Sequence, residues 1–267
     1  MQPINGIKDE AFRAAQLLLK PQGRAETNCY LVEGDNLVHQ ALKTSHTRAV
    51  YASLESAPHF RDECLQKDVP LYVAGGGLMQ KLIGTGYETA VTSLAIVAQQ
   101  KLESEIWTPP ADALILACER IQDPRNVGVL IRTAEAAGCS AILFSSDCAE
   151  PWQRASVRST TGSILRLPIG IIDNLPLHLK RSGQAEIRMV ATSAKAPQLA
   201  YEANLKARPL IIVVGNETEG LSAAAREAAT DFVALPMASN GASSLNVTVA
   251  AGVLLYEAVR QLRFSPL

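Results

Sequence analysis

The sequence predicts an α/β protein made of two successive domains, each containing parallel strands. Two observations carry this reading. Short runs of Val, Ile and Leu alternate with helix-forming stretches along most of the chain, as in βαβ units. The alternation is interrupted once, at 99–112, by QQKLESEIWTPPAD, which is charged and polar and ends in Pro109-Pro110, a pair that resists regular structure. The expected boundary is at 106, giving domains 1–106 and 107–267.

In the first domain, DEAFRAAQLLLK reads as a helix stopped by Pro21. NCYLVEG is a strand, NLVHQALKTS a helix, AVYAS a strand and APHFRDECLQKD a helix. PLYVAGG, LMQKLIG and AVTSLAIVA add a strand, a short helix and a last strand. Gly75-Gly76-Gly77 lacks the spacing of a phosphate loop and reads as a strand-to-helix turn.

The second domain follows as ALILACERI (strand), NVGVLIRTAEAAG (helix), AILFS (strand), a short helix at 152–157 and a strand at ILRLPIG. NLPLHLKRSG (helix), EIRMVATS (strand), a loop through APQLAYEANLKARP, PLIIVVG (strand), LSAAAREAA (helix) and DFVALP (strand) complete a doubly wound parallel sheet. A long helix then begins near Ser244, with Ser243 and Ser244 as candidate N-caps beyond a turn at Asn240-Gly241. It has two apolar stripes: Leu245, Val249, Gly252, Val253 and Tyr256, and Val247, Ala251, Leu254, Ala258 and Leu262. One stripe is expected on the sheet and the other against a second copy of the chain.

Composition narrows the class. Hydrophobic residues make up 48% and charged residues 19%, as in an ordinary globular protein, and the net charge is −1. No basic excess marks a nucleic-acid protein, since the N-terminal part is slightly acidic and the rest nearly neutral. Any nucleic-acid contact would therefore fall to local clusters, for which Arg120, Arg125, Arg132, Arg154, Arg158 and Arg166 are the candidates. The five scattered cysteines have no metal-type spacing and read as reduced thiols of a cytoplasmic protein. MQPINGIKDEAF contains no apolar signal core, and no run approaches a membrane span.

Three segments are too polar for connectors alone: CERIQDPRNVGVLIRTAEAAG (118–138), IIVVGNETEGLSAAA (211–225) and LPMASNGASSLNVTVAAG (235–252). In open α/β sheets such loops converge beyond the carboxyl ends of strands, where ligands bind. Asn126 and Asn246 lie at helix starts, where capping is the simpler role. Leu235 and Leu245 could pack in the core, and Gly215 and Gly220 could be turn glycines needing positive φ. Glu219 reads as a solvated charge, and Arg132 could form a surface pair with Glu135 at i,i+3.

DPRNVGVLIRTAEAAG, VVGNETEGLS and LPMASNGASSLNVTVAAGVLLYE resemble, in order and spacing, the three motifs of the SpoU (TrmH-like) RNA ribose methyltransferases of the SPOUT superfamily. RSTTGSILRLPI at 158–169 resembles the segment between the first two motifs, and the likeness covers about 112–263. QGRAETNCYLVEGDNLVHQAL resembles the ribosomal-protein-like substrate domain often fused ahead of them. The resemblance implies a deep trefoil knot in the C-terminal domain, a homodimer through it, S-adenosyl-L-methionine (AdoMet) as methyl donor, no metal, and RNA, ribosomal first, as partner.

By the same resemblance Asn126, Arg132, Glu217, Ser244 and Asn246 form the catalytic set. Gly215, Asn216, Gly220, Leu235, Met237 and Leu245 hold AdoMet, and Arg24, Arg125 and Arg158 contact RNA. The reaction would be attack of a ribose 2′-hydroxyl on the sulfonium methyl, with Arg132 stabilising the oxyanion; a guanidinium gives up its proton too reluctantly to serve as the base. A tRNA target, or a non-catalytic ribosome assembly factor on the same fold, are the alternatives. The loop before SLN is longer and more polar than usual in the family, and Thr160 and Thr161 stand where Ser and Ala are common.

Overall fold

Strands of Leu, Ile, Val and Ala with almost no polar side chain must be covered on both faces, which an all-parallel sheet between helices provides. The computed structural model describes residues 1–83, 91–102, 108–185, 187–242 and 244–264. It divides into two units: Met1–Gln100 with Pro151–Leu165, and Lys101–Glu150 with Arg166–Leu267. The boundary expected at 106/107 lies outside the described residues. Residues 151–165, expected with the C-terminal domain, belong by their packing to the first unit.

The first unit holds a mixed five-stranded sheet in the order β1 (Gln2–Pro3), β4 (Leu71–Ala74), β3 (Thr47–Ser53), β5 (Ser93–Ala98), β2 (Cys29–Glu33). β1 and β3 run parallel to β4, whereas β5 is antiparallel to both β2 and β3. Helices α1 (Glu10–Leu17), α2 (Pro21–Thr27), α3 (Asp35–Leu42), α4 (Ala57–Gln66) and α5 (Gly76–Ile83) complete it. Asp9 caps α1, its carboxylate accepting from the N–H of Ala11 at 3.2 Å. The first helix was expected to run on to Pro21. It ends at Leu17, and Pro21 instead opens α2, at a position where its missing N–H costs nothing. Gly23 is needed at this corner, because a Cβ there would lie 2.2 Å from the Leu17 carbonyl oxygen.

α7 (Arg154–Thr160) packs on β2. Its Arg154 donates to the Ile83 carbonyl at 2.7 Å and to the Glu33 carboxylate at 2.9 Å. The strand expected at ILRLPIG is shorter than foreseen. Thr161 (φ 52°) and Gly162 (φ 98°) close α7 in left-handed geometry, Ser163–Leu165 forms a 3-10 turn, and β8 (Ile169–Ile172) begins only after Pro168.

The second unit holds seven strands, all parallel, in the order β10 (Gln198–Leu199), β12 (Asp231–Ala234), β9 (Arg188–Thr192), β11 (Leu210–Val214), β6 (Leu114–Cys118), β7 (Ala141–Ser145), β8. Every residue of β6, β7 and β11 is buried. β10 lies inside a segment expected to be loop, paired to β12. Helices α6 (Pro124–Ala136), α8 (Leu175–Gln184), α9 (Ala223–Ala228) and α10 (Val247–Phe264) accompany the sheet.

α10 starts three residues later than expected. Ser244 is not its cap and Ser243 lies outside the described residues; Asn246 takes that place, its side-chain oxygen accepting from the Thr248 N–H at 2.8 Å. The stripe of Val247, Ala251, Leu254 and Ala258 is buried against α6 and β11, but Leu262 leaves it and is 55% exposed. Leu254→Ala should therefore cost roughly 2–5 kcal/mol in urea unfolding, and Leu262→Ala no more than about 0.5 kcal/mol.

Among the described residues no helix is long and apolar enough to cross a membrane. All five cysteines are free thiols, and burial pushes Cys118 well up and Cys139 up to about 12, so both are poor nucleophiles.

Candidate active site

Because all strands of the second sheet are parallel, the turns after β6, β11 and β12 leave from one edge. The turn after β11 is closed on itself. Asn216 and Gly220 exchange N–H to carbonyl bonds at 3.1 and 3.0 Å, and the Asn216 side-chain oxygen accepts from the N–H groups of Thr218 and Glu219 at 2.9 Å each. Gly220 has φ 69°, and a Cβ on Gly215 would meet the Gly220 main chain at 2.5 Å. Both glycines are therefore dictated by the turn itself.

This turn is bound to the one after β6. Asn216 donates from its side-chain amide to the Arg120 carbonyl at 2.8 Å. Arg120, itself left-handed at φ 57°, pairs with Glu219 and donates to the Gly220 carbonyl at 3.1 Å. Glu219 is thus an ion-pair partner rather than the free solvated charge expected. Glu119 is 3% exposed and accepts from both the N–H and the hydroxyl of Ser222, each at 2.7 Å. The sequence reading overlooked Glu119 and Ser222, for a lone Glu after a strand and a Ser at a helix start carry no distinguishing pattern.

α6 opens with Asp123 as its cap, the carboxylate accepting from the Arg125 N–H at 2.8 Å. The Arg125 side chain folds back on the same carboxylate, whose hydrogen bonds with it hold Asp123 below the usual range. Asn126 is consequently inside the helix rather than a cap, and its side chain is available. Its amide donates to Glu217 Oε1 at 2.8 Å, while its oxygen accepts from the Asn246 amide at 3.4 Å. Three residues 120 positions apart at the extremes form one directional relay, Asn246 to Asn126 to carboxylate. Asn246 also keeps its capping role, so for it the two expected functions coincide.

Not every expected residue joins this cluster. Ser244 is exposed and makes no hydrogen bond among the described residues. Leu235 is half-buried, whereas Met237 and Leu245 are 38% and 40% exposed and so do not pack in the core. Arg132 is exposed on α6, six residues beyond Asn126, roughly 9 Å along the axis and about 120° around it. It makes no ion pair or hydrogen bond among the described residues, since Glu135 is engaged by Arg166.

Of the three RNA contacts the resemblance implies, two lie in the first unit. Arg158 is exposed at the end of α7. Arg24, expected to contact RNA, is instead 4% exposed within α2, its guanidinium donating to the Leu18 carbonyl at 2.8 Å. Among the described residues no His, Cys, Asp and Glu group could hold a metal ion.

The sequence model of the SpoU rRNA methylase family matches residues 113–256. The chain is 32% identical to an uncharacterised tRNA/rRNA methyltransferase of Synechocystis, over 97% of this chain and 93% of that one. It is 26% identical to the 23S rRNA (guanosine(2553)-2′-O)-methyltransferase RlmP of Bacillus subtilis, over 96% and 98% of the two chains. Among solved structures, the SpoU methyltransferase AviRb from Streptomyces viridochromogenes in complex with AdoMet superposes with a TM-score of 0.85 at 26% identity, covering 97% of this chain and 100% of that one. The relay between α6, the turn after β11 and α10 is built from the segments this family match spans, and the chain belongs to the SpoU rRNA methylase family.

Proposed function

We propose that the protein transfers a methyl group from AdoMet to a ribose 2′-hydroxyl of ribosomal RNA. The observation that carries this is the Asn246–Asn126–Glu217 relay at the carboxyl edge of a parallel sheet. The family match and the full-length likeness to a 23S rRNA 2′-O-methyltransferase support the substrate.

The residues present fit AdoMet. β11 and β12 end at one edge with only β9 between them. Main-chain groups beyond those ends suit an adenine edge, and the exposed Met237 and Leu245 offer apolar flanks for its ring. Gly215, Asn216, Gly220 and Leu235 complete the lining. AdoMet supplies an electrophilic methyl on a sulfonium. The chain must then orient the 2′-hydroxyl and stabilise negative charge on its oxygen. Arg132, whose guanidinium has no ion pair or hydrogen bond among the described residues, is the group for that charge. Glu217 orients the Asn126 amide, and Asn246 fixes the other end of the same side chain, so the relay is pre-set. Ser244, exposed just before Asn246, can turn its hydroxyl towards the ribose.

The first unit selects the RNA, with Arg158 as its exposed contact, and Arg125 at the start of α6 in the second unit adds another; Arg24 would join them only if α2 moved. The active form is a homodimer through α10, whose Val249 and Tyr256 are 50% and 52% exposed. A ribosomal substrate places the enzyme in the cytoplasm. A tRNA target is the second reading, since the name of the Synechocystis relative gives tRNA and rRNA alike. Tritium transfer from labelled AdoMet to separated rRNA and tRNA, followed by alkaline digestion, tests both. Label in an alkali-resistant dinucleotide from rRNA is expected. Label in free nucleotides would mean base methylation, and no label in either RNA would remove the enzymatic reading.

A further inference from the structure

We propose that Glu119 is a positioning residue: its buried carboxylate fixes the turn that carries Gly215, Asn216 and Glu217, and thereby sets both AdoMet affinity and the reacting geometry. The proposal rests on the reading of that turn as part of the AdoMet site. Glu119 touches the turn at both of its ends. Its backbone N–H donates to the Val214 carbonyl at 2.9 Å, where the chain enters the turn. Its carboxylate takes the N–H and the hydroxyl of Ser222 at 2.7 Å each, where the chain leaves it.

A carboxylate is costly to bury unless hydrogen bonds meet it. Here a single residue, 103 positions further along, meets both oxygens. Ser222 passes the constraint on, because its hydroxyl oxygen also accepts from the Ala225 N–H at 3.1 Å and so caps α9. Two of the other ties on the turn are weaker. The Arg120–Glu219 pair has side chains 28% and 66% exposed, and such pairs compete with water. The Gln122 N–H reaches Glu217 only at 3.4 Å. The Asn216 amide, donating to the Arg120 carbonyl at 2.8 Å, holds the start of the turn, and Glu119 is the buried charged tie at its exit.

What the tie controls is the placement of Glu217. That residue stands at the middle of the 215–220 turn, and its carboxylate must meet the Asn126 amide, now at 2.8 Å. A misplacement of about 1 Å by a residue remote from the chemistry can cost on the order of 10²-fold in rate. A purely structural Glu119 would act differently. Its loss would lower the unfolding midpoint and leave the folded enzyme with normal affinity and rate.

Glu119→Gln, Ser222→Ala and the double variant separate these outcomes in the full chain. The measurements are calorimetric AdoMet affinity and single-turnover methyl transfer, at a temperature where circular dichroism shows each variant folded. Glutamine keeps the volume but sets its NH2 against one of the two donors of Ser222 and leaves a single acceptor oxygen for the other. AdoMet binding should weaken by about tenfold, the scale of a hydrogen bond to a charged group, with transfer slowed further at saturating AdoMet. Ser222→Ala should give a smaller loss of the same kind. The double variant should be no worse than Glu119→Gln alone, because both remove one interaction.

Parent-like affinity and rate in folded Glu119→Gln would overturn the proposal. Should that variant not fold, parent-like values in Ser222→Ala would do the same. Losses that simply add in the double variant would also count against it. Failure of the AdoMet reading would appear elsewhere, as absence of binding heat in the parent chain.

Discussion

Arg132→Ala should slow single-turnover methyl transfer by on the order of 10²-fold or more, the scale of removing one oxyanion donor. AdoMet affinity should barely change. The reason lies in the separation of roles on α6. Asn126 faces the turn after β11, whereas Arg132 points elsewhere on the helix, exposed and without an ion pair or hydrogen bond among the described residues. The competing reading, a surface pair with Glu135, has lost its partner to Arg166. Arg132→Lys should recover little, since an ammonium lacks the planar fork of the guanidinium. If Arg132 were only a surface charge, the alanine variant would turn over normally and lose tenths of a kcal/mol at most. Calorimetry and rapid-quench transfer on the same preparation decide between the two, and a rate within about threefold of the parent would end the assignment.

The second large effect concerns association. Val249→Glu combined with Tyr256→Glu should convert a dimer into a monomer at micromolar concentration, as read by sedimentation velocity. Val249 and Tyr256 sit on the stripe of α10 opposite the buried one. Gly252 lies between them, close enough to α6 that a Cβ there would sit 3.5 Å from Thr133. The exposed Val129 and Arg132 share the face of α6 next to Thr133, so the apolar surface runs from one helix to the other and has Arg132 at its border. Burying two carboxylates in such a surface is strongly unfavourable. A partner seated there would border Arg132, so the monomer should also lose turnover. Leu254, which looks equivalent in sequence, is unsuitable for this test because it is 0% exposed within its own chain. A parent chain that sediments as a monomer would sink the dimer reading outright.

A chain cut at the expected boundary would lose more than a substrate domain. Residues 151–165 pack with the first unit, where Arg154 holds Ile83 and Glu33 and Gly162 fits against Gln40. The segment would then be left without the sheet it covers. This makes point variants the sounder tests.

The sequence by itself determined most of the order of strands and helices, though not β1, α2 or β10, and it determined the polar loops at one edge of the second sheet and the candidate residues on them. It could do so because these depend on local properties: unbroken apolar runs for strands covered on both faces, 3.6-residue periodicity for helices, and Gly and Asn at turns. It also offered Gly215 and Gly220 as turn glycines needing positive φ, which holds for Gly220; Gly215 is required instead by the close approach of the Gly220 main chain. What only the tertiary structure decided were matters of partnership across long separations. Asp123 took the cap of α6 and freed Asn126 for Glu217, 91 positions away. Arg166 took Glu135 and left Arg132 open, and Arg24 turned inward to a carbonyl rather than out to solvent. Glu119 found Ser222, and 151–165 found the first sheet. A hydrogen bond between side chains a hundred residues apart leaves no periodic trace in the sequence, because it depends on which strand ends the parallel sheet brings side by side.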